Sequence, residues 1–289
     1  MWNGKKVSIV LGGGGLKGLA HVGVLKAVED LGIEVDEYIG TSIGSLVAAL
    51  AAGGLSAADI QKITSNIKRE DIMDPNWFGV IMRRRAALSL LRGKVLQDFV
   101  RKILPVDNFE DLKKPLFMLA TNLSKGEEVI WGMPGFREVP IHEAVVASCA
   151  LPGIFPPKKI LGYQFVDGSV TDTLPIKIAI YNKAEIIIGV YLESLEPVRQ
   201  EKPSRGIAEV LMGAQTINSR TLIKHNLRHF KDAPTVLIHP SVSHHAMFSF
   251  GELDKLIDEG ERAAREVLTN HELLPEIRKS HPQPPEKGE

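Results

Sequence analysis

The feature that most constrains the fold is a serine held between two glycines, in Gly40-Thr41-Ser42-Ile43-Gly44. A short apolar stretch, 35–39, precedes this pentapeptide, and an apolar run typical of a helix, 46–52, follows it. The glycines allow a strained turn from strand to helix and a close approach of neighbouring chains. Such a turn holds the Ser42 hydroxyl at a helix N-terminus, where developing negative charge is favoured. The pattern predicts either a nucleophile elbow or a small-residue turn that packs a helix on a strand.

A glycine run lies at the end of an earlier strand-like segment. Residues 6–11 read as a buried strand and lead into Gly12-Gly13-Gly14-Gly15-Leu16-Lys17-Gly18, after which apolar residues recur at helical spacing. Successive glycines between a strand and a helix leave backbone N–H groups free to bind an anion. One candidate anion is the pyrophosphate of a dinucleotide, with Glu34 or Asp36 near the position of the ribose-binding acid. The other is the oxyanion of a tetrahedral intermediate formed on Ser42.

The order of the two glycine motifs helps to choose between these anions. In a parallel sheet the two strands would be neighbours, joined by one right-handed crossover, and both loops would open at the same carboxyl edge. A dinucleotide site does not need a nucleophile elbow there, whereas acyl transfer needs a serine beside an oxyanion cradle. The joint pattern favours a hydrolase with Ser42 as its nucleophile. The alternative is a non-catalytic nucleotide- or acyl-binding module that uses the glycine loop alone.

A serine nucleophile needs a base, and the sequence offers two candidates. His239 is one of nine histidines and follows a strand-like segment, 235–238, and we interpret it as an ordinary strand-end histidine. Asp167, in Phe165-Val166-Asp167-Gly168-Ser169, ends a short strand with an Asp-Gly turn that would project its carboxylate from the strand end. From the residues alone, Asp167 is either a catalytic carboxylate or only part of a turn.

Together these motifs resemble the patatin-like phospholipase family in its bacterial type. The resemblance covers about 6–191 and rests on the order and spacing of three motifs and one longer segment. These are Gly13-Gly14-Gly15-Leu16-Lys17-Gly18, Gly40-Thr41-Ser42-Ile43-Gly44, Asp167-Gly168 and Ala147-Ser148-Cys149-Ala150-Leu151-Pro152-Gly153-Ile154-Phe155-Pro156-Pro157. The resemblance implies an α/β fold of three layers, α/β/α, with a mainly parallel central sheet.

The resemblance also implies a site and a chemistry. Ser42 would be the nucleophile and Asp167 the base of a dyad without histidine, and the reaction would pass through an acyl-enzyme. Gly13, Gly14 and Gly15 would form the oxyanion hole, with the other motif positions at Lys17, Gly18, Gly40, Gly44 and Gly168. The substrate would be a lipid ester, commonly of a phospholipid, lysophospholipid or neutral lipid. The family often has Asp where this chain has Gly12, and Gly or Ala where it has Ser169. These departures leave the chemistry intact and the subfamily open.

The composition limits the classes of protein to which this chain can belong. At 289 residues, with 44% hydrophobic residues, the chain can bury one sizeable α/β core. A formal net charge of zero argues against bulk binding of nucleic acid, and one cysteine fits a reducing compartment. We therefore expect a cytoplasmic enzyme without cofactor or metal, with a peripheral contact to the membrane surface and the oligomeric state left open.

The rest of the chain completes one predicted domain over 1–279. A helical cap or lid is expected at about 56–102, where apolar residues between 77 and 99 flank Arg83-Arg84-Arg85. This composition fits either a lid that faces anionic headgroups or a helical cap with a solvated basic face. Basic residues at helical spacing near 220–231 are interpreted as a solvated stripe. Strands are predicted at 116–123, 128–131 and 185–192, helices at 207–230 and 253–268, and a disordered tail at 280–289.

Overall fold

The computed structural model describes residues 5–76, 89–196 and 206–271, which form both strands and helices. The strands are β1 (Val7–Leu11), β2 (Glu37–Thr41), β3 (Leu116–Asn122), β4 (Glu127–Trp131), β5 (Lys158–Ile160), β6 (Tyr163–Asp167), β7 (Ile186–Val190) and β8 (Thr235–Ile238). The α-helices are α1 (Ala20–Asp30), α2 (Ile43–Ala52), α3 (Ala57–Thr64), α4 (Arg69–Ile72), α5 (Lys94–Ile103), α6 (Ile141–Ser148), α7 (Ile176–Tyr181), α8 (Ile207–His229) and α9 (Leu253–Asn270). Short 3-10 helices occur at Gly15–Leu19, Phe109–Asp111 and Gly168–Val170.

The described strands form one mixed sheet in the order β5-β6-β3-β2-β1-β7-β8, with β4 also paired to β3. The pairs β1–β2, β1–β7, β2–β3 and β7–β8 are parallel. The pairs β3–β4, β3–β6 and β5–β6 are antiparallel. The α/β class and the mainly parallel centre that the sequence predicts are confirmed. The antiparallel part around β3 was not predicted.

Alternate residues of the central strands are buried on opposite faces of the sheet, which produces three layers. On one face Val7, Ile9 and Leu11 join a core that includes residues of α1, α2, α6 and α9. On the other face Val10 packs in a second core with residues of α7 and with Ile223 of α8. Since helices cover both faces, β1 and β7 are buried along their whole length, as is usual for central parallel strands.

The register along β3 brings the ends of two motif strands together. Thr41, the last residue of β2, pairs with Leu119, and Asp167, the last residue of β6, pairs with Ala120. Because β4 pairs with β3 along the other edge over this stretch, β2 and β6 share one edge of β3 and meet end to end. The residue that follows Thr41 is Ser42, so the register alone places the serine beside the aspartate.

The predicted elements outside the motifs differ from the observed ones by a few residues at their ends, which is ordinary for helix and strand boundaries. At the start of α3 the Ser56 side chain accepts a hydrogen bond from the Asp59 N–H at 3.2 Å, as its capping pattern indicates. The arginine-rich part of the predicted cap, at 77–88, lies outside the described residues, and so does the predicted tail at 280–289. Among the helices of the described segments, none has the length and apolarity to cross a membrane.

Candidate active site

Ser42 occupies a strained turn between β2 and α2. Its backbone angles, φ 55° and ψ −128°, are rare for a residue other than glycine. The flanking glycines give this turn its room: a Cβ on Gly40 would lie 2.5 Å from the Gly44 carbonyl oxygen, and a Cβ on Gly44 would lie 2.1 Å from the Leu11 carbonyl oxygen. The local structure is therefore a nucleophile elbow, with the serine at the N-terminus of α2.

The Asp167 carboxylate lies beside this serine, and both residues line the same cavity. It accepts a hydrogen bond from the Ser169 N–H at 2.8 Å, and the Ser169 hydroxyl lies nearby and favours its charged form. Asp167 is 1% exposed, and this burial raises its pKa to about 6 in spite of the hydrogen bonds, which lower it. A carboxylate with that pKa is mostly ionised at neutral pH and still basic enough to take up a proton.

The buried serine Ser148 fixes this arrangement. From the sequence alone it is only one residue of the segment 147–157 that resembles the family. The Ser148 hydroxyl, at the end of α6, donates to the Leu119 carbonyl at 2.6 Å and accepts from the Ser42 N–H at 2.9 Å. It also lies 2.7 Å from the Ser45 hydroxyl. Since a hydroxyl has one proton, Ser45 is the donor in this last bond, and Ser148 uses its full hydrogen-bonding capacity. Ser148 thus ties the backbone of the elbow to β3.

The glycine loop is fixed by its first two amides. The Gly12 N–H donates to the Val190 carbonyl at 2.9 Å, and the Gly13 N–H donates to the Thr173 carbonyl at 3.1 Å. Within the described part of the chain, the N–H groups of Gly14 and Gly15 have no hydrogen-bond acceptor. The loop therefore holds two available donors at the carboxyl end of β1, which is the position an anion site requires.

The glycine loop approaches the serine closely. A Cβ on Gly13 would lie 3.3 Å from the Ser42 Cβ and 2.3 Å from the Ser169 hydroxyl oxygen. Gly15 has a φ of 63°, and a Cβ there would lie 2.6 Å from the Met247 carbonyl oxygen. The loop could not keep this path with larger residues at these two positions.

The remaining motif residues pack around the loop and the elbow. Lys17 is 4% exposed and forms an ion pair with Glu193, which is 6% exposed, so the loop is also tied to the segment after β7. Gly18 lies against Ile43, because a Cβ there would be 2.1 Å from the Ile43 Cγ2 atom. Gly168 lies against β3, where its Cβ would be 2.4 Å from the Leu119 carbonyl oxygen.

A cavity that is open to solvent on one side extends from the serine. Ser42, Asp167 and the glycine loop line one part of it, and the thiol of Cys149 lies nearby with a pKa raised by burial. Most other lining residues are apolar: Leu16, Ile43, Leu46, Ile67, Ile72, Leu96, Phe99, Leu151, Phe155, Met247 and Phe248. Polar lining is supplied by Ser169, Glu193, Gln215, Thr216 and Ser219. Such a cavity fits a long apolar group with one polar end.

A sequence model of the family described as patatin-like phospholipase matches residues 9–180. The chain belongs to the patatin-like phospholipase family. An uncharacterised NTE family protein of Mycobacterium tuberculosis is 30% identical over 203 residues, which cover 69% of this chain and 53% of the relative. The chain thus spans about half the length of that relative.

Two further comparisons extend over most of the patatin-like chain. Lysophospholipase NTE1 of Mycosarcoma maydis is 26% identical over 297 residues, which cover 92% of this chain and 15% of the relative. The crystal structure of VipD from Legionella pneumophila superposes with a TM-score of 0.55 at 15% identity and covers 92% of this chain and 67% of that one. At this identity the likeness to VipD concerns the fold.

No histidine is found among the described residues that line the cavity of this patatin-like fold. His239 is half-buried and stacks on Tyr191 with 4.5 Å between ring centroids, and burial lowers its pKa. His21 is fully buried beneath the glycine loop, where its Nε2 atom lies 2.8 Å from the Gly12 carbonyl oxygen. The contacts of His239 and His21 are therefore those of residues that support the fold.

The acids that a dinucleotide site would use lie at the wrong end of the sheet. The Asp36 carboxylate accepts a hydrogen bond from the Val7 N–H at 2.7 Å, at the amino end of β1. Glu34 pairs with Lys114 at 3.0 Å on the same side. The glycine loop lies at the carboxyl end of β1, so neither acid reaches a ligand bound there. Within 5–76, 89–196 and 206–271, no three His, Cys, Asp or Glu side chains form a group that would hold a metal ion.

Proposed function

We propose that this patatin-like chain is a serine acyl-hydrolase that cleaves carboxylic esters of lipids through a Ser42–Asp167 dyad. The observation that carries the proposal is the placement of the Ser42 hydroxyl beside the buried Asp167 carboxylate in a largely apolar cavity. Membership of the patatin-like phospholipase family and the name of the relative lysophospholipase support a lipid ester as substrate.

In the first half of the reaction Asp167 takes the proton of the Ser42 hydroxyl, and the serine oxygen attacks the ester carbonyl. The negative charge that develops on the carbonyl oxygen is stabilised by the N–H groups of Gly14 and Gly15. Each such donor contributes about 3 kcal/mol in comparable oxyanion holes. We narrow the predicted set of Gly13, Gly14 and Gly15 to the last two, because the Gly13 N–H donates to the Thr173 carbonyl.

In the second half the intermediate collapses and the bond to the alcohol breaks. The protonated Asp167 gives its proton to the leaving alcohol, and the acyl group remains on Ser42. A water molecule then loses a proton to Asp167 and attacks the acyl-enzyme, and the same oxyanion donors serve again. Collapse of this second intermediate releases the fatty acid, and the proton on Asp167 returns to Ser42. The site is then restored.

The cavity favours a substrate with a long acyl chain. Its apolar side, which includes Ile67, Ile72 and Phe99, suits the chain, and its polar side, with Gln215 and Thr216, offers hydrogen bonds to the alcohol or headgroup. Phospholipids, lysophospholipids and neutral lipids all meet this requirement. Since these substrates reside in lipid aggregates, a peripheral contact with a lipid surface is part of the proposal.

Replacement of the nucleophile tests this function. Ser42→Ala removes the attacking oxygen and little volume, so hydrolysis of a short-chain p-nitrophenyl ester should fall by about a thousandfold or more, on a scale of roughly 1.4 kcal/mol per tenfold. Ser65→Ala, a serine outside the cavity lining, is the matched control and should keep wild-type turnover. Residual activity of about a tenth of wild type in the purified, folded Ser42→Ala protein would contradict the assignment. Product analysis on a panel of long-chain lipids then identifies the headgroup and acyl position.

A further inference from the structure

The first half of helix α8 places its polar side chains inward. The Gln215 side-chain amide donates to the Ser169 carbonyl at 3.0 Å, and the Asn218 amide donates to the Val170 carbonyl at 3.2 Å. Further along the helix, the Asn226 amide donates to the Asp172 carboxylate at 2.8 Å. All three acceptors lie in the segment directly after Asp167. Polar contacts therefore fix α8 across the segment that carries the proposed base.

The outward side of the same half is mostly apolar, with the exposed acid Glu209 at its start. Val210, Leu211 and Ile217 are 57%, 48% and 63% exposed, and Ala214 between them is exposed as well. Positions 210, 214 and 217 follow helical spacing and share one face. A helix on the surface of a soluble domain normally has the opposite arrangement, with apolar side chains inward and polar ones outward. We refer to Val210, Leu211, Ala214 and Ile217 as the apolar stripe.

The apolar stripe borders the mouth of the cavity. Gln215, Thr216 and Ser219 of the same helix line that cavity. At the near end of the stripe, the Leu211 side chain lies against Gly153, where a Cβ would be 3.2 Å from the Leu211 Cδ1 atom. Leu90, which is 44% exposed, donates its N–H to the Gly153 carbonyl at 3.0 Å and extends the exposed apolar surface to a second element.

Charge changes along the exposed face of α8. Beyond Ile217 the exposed positions at the same spacing are Thr221, His225 and Arg228, and exposed Lys231 and Asp232 follow the helix. The whole helix carries Arg220, Lys224 and Arg228 against a single acid, Glu209. The face is therefore apolar beside the cavity mouth and basic further away, a combination that suits binding to an anionic lipid interface.

We propose that the apolar stripe and the basic end of α8 form the surface by which this chain docks on an anionic lipid surface. Docking there turns the cavity mouth toward the lipid, so that an ester can move from the lipid layer to Ser42 without crossing water. The docking serves a purpose only if the proposed function is correct, so the inference rests on that function. The binding itself can be measured without turnover. It also revises the interpretation of the basic residues near 220–231 as a merely solvated stripe.

Sedimentation with lipid vesicles tests this docking surface. The parent protein carries Ser42→Ala so that the vesicles stay intact, and the vesicles contain equal parts of phosphatidylglycerol and phosphatidylcholine. Val210→Ser with Ile217→Ser should lower the partition coefficient by about tenfold, because both side chains lose their contact with the lipid. Leu161→Ser with Tyr181→Ser is the matched control: these residues are 84% and 76% exposed and do not line the cavity, so binding should stay within about twofold of the parent.

A second pair of variants tests the basic end. Arg228→Ser with Lys231→Ser should weaken binding to the vesicles that contain phosphatidylglycerol and leave binding to vesicles of pure phosphatidylcholine unchanged. With Ser42 present, the stripe variant should hydrolyse a soluble short-chain ester at the wild-type rate, which shows that its fold and site are intact.

Three results would overturn the docking surface. One is unchanged vesicle binding in the stripe variant, and another is an equal loss in the Leu161 and Tyr181 control. The third is a dimer of the parent that the stripe substitutions convert to monomers in light scattering, because the stripe would then be the contact between two copies of the chain. Stripe-dependent vesicle binding by a protein that hydrolyses no ester would instead refute the proposed function and leave the docking surface standing.

Discussion

Asp167 and Asp172 lie at the two ends of one short segment, and they differ in what surrounds them. Both are 1% exposed, and burial raises the pKa of each to about 6. Asp167 accepts a hydrogen bond from the Ser169 N–H at 2.8 Å, lies beside the Ser42 hydroxyl and lines the cavity. Asp172 accepts hydrogen bonds from the Leu174 N–H at 3.1 Å and the Asn226 amide at 2.8 Å.

The comparison shows that a raised pKa alone does not identify a catalytic base. Lys177, 3.5 Å from Asp172, helps to hold this carboxylate where it joins the segment to α7 and α8. Asp167, by contrast, lies beside the proposed nucleophile, Ser42, and near a pair of available N–H donors. The chemistry is therefore determined by the neighbours that a buried carboxylate can act on, and burial only provides the basicity.

The largest expected difference between the two aspartates is in turnover. Asp167→Asn removes the base but keeps the shape, so kcat/KM on a short-chain ester should fall by about a thousandfold, or roughly 4 kcal/mol. Asp172→Asn should lose less than about tenfold, since it affects only the packing of the segment. Combining Asp167→Asn with Ser42→Ala should add little to either loss, because the two residues act as a unit.

Steady-state kinetics on purified proteins with wild-type circular dichroism would measure this difference. Similar losses in Asp167→Asn and Asp172→Asn would show that the two carboxylates do not have the separate roles assigned here. A loss of the same size in His239→Ala, in a folded protein, would restore the histidine as base.

A smaller difference is expected in stability. The pKa of Asp167 in the folded chain, about 6, lies above its ordinary value of 3.8, so the folded state binds the proton more tightly than the unfolded state. Ionisation of Asp167 therefore destabilises the fold: the penalty is absent below pH 3.8, grows up to pH 6 and is complete above it. At about 1.4 kcal/mol per pKa unit, the full penalty is of order 3 kcal/mol.

Asp167→Asn should thus raise the free energy of unfolding by about 1 to 2 kcal/mol at pH 8, after allowance for weaker interactions with Ser42 and Ser169. The gain should shrink toward zero at pH 4. Asp172→Asn should raise the free energy of unfolding by less at pH 8, because the Asp172 carboxylate also attracts Lys177 and the variant loses that attraction. Urea unfolding of the three proteins at both pH values provides the measurement, and a gain for Asp167→Asn that is independent of pH would contradict the assigned cause.

The smallest expected effect concerns Ser169, where this chain departs from the small residue that the family often has. Its N–H donates to Asp167 and its hydroxyl lies nearby, and both favour the charged form of the carboxylate and lower its pKa. Since activity needs ionised Asp167, kcat/KM should fall below about pH 6 in the wild type. Ser169→Ala should move this acid limb upward by about half a pH unit, whereas Asp172→Asn should leave it in place. A downward shift in Ser169→Ala would mean that the hydroxyl does not stabilise the carboxylate.

Much of the site could be predicted because its parts are local. The elbow around Ser42 and the loop of Gly12 to Gly15 each follow from glycines at a strand–helix junction, and these patterns need no distant contact. The α/β class follows from apolar strands that lead into helical segments, and the three layers are what the family resemblance implies. The role of Asp167 became specific only through its family resemblance, since an Asp-Gly pair by itself indicates a turn.

The parts that were missed depend on distant pairings. Ser148 becomes important because α6 packs its hydroxyl between Leu119 and Ser42, and no spacing in the sequence indicates that contact. The Gly13 N–H donates to the Thr173 carbonyl, which comes from another loop, so the sequence alone does not show which glycine N–H groups are available. The outward apolar face of α8 was hidden because apolar residues at helical spacing predict a buried face.

Reaction with a fluorophosphonate probe, followed by intact-protein and peptide mass analysis, tests most directly whether Asp167 activates Ser42. The wild type and Asp172→Asn should each gain one phosphonyl group, on the peptide that contains Ser42, at rates within about tenfold of each other. Ser42→Ala should gain none, and Asp167→Asn should react at least about a hundredfold more slowly than the wild type. Labelling of a different residue, or equal rates for Asp167→Asn and the wild type, would contradict the dyad.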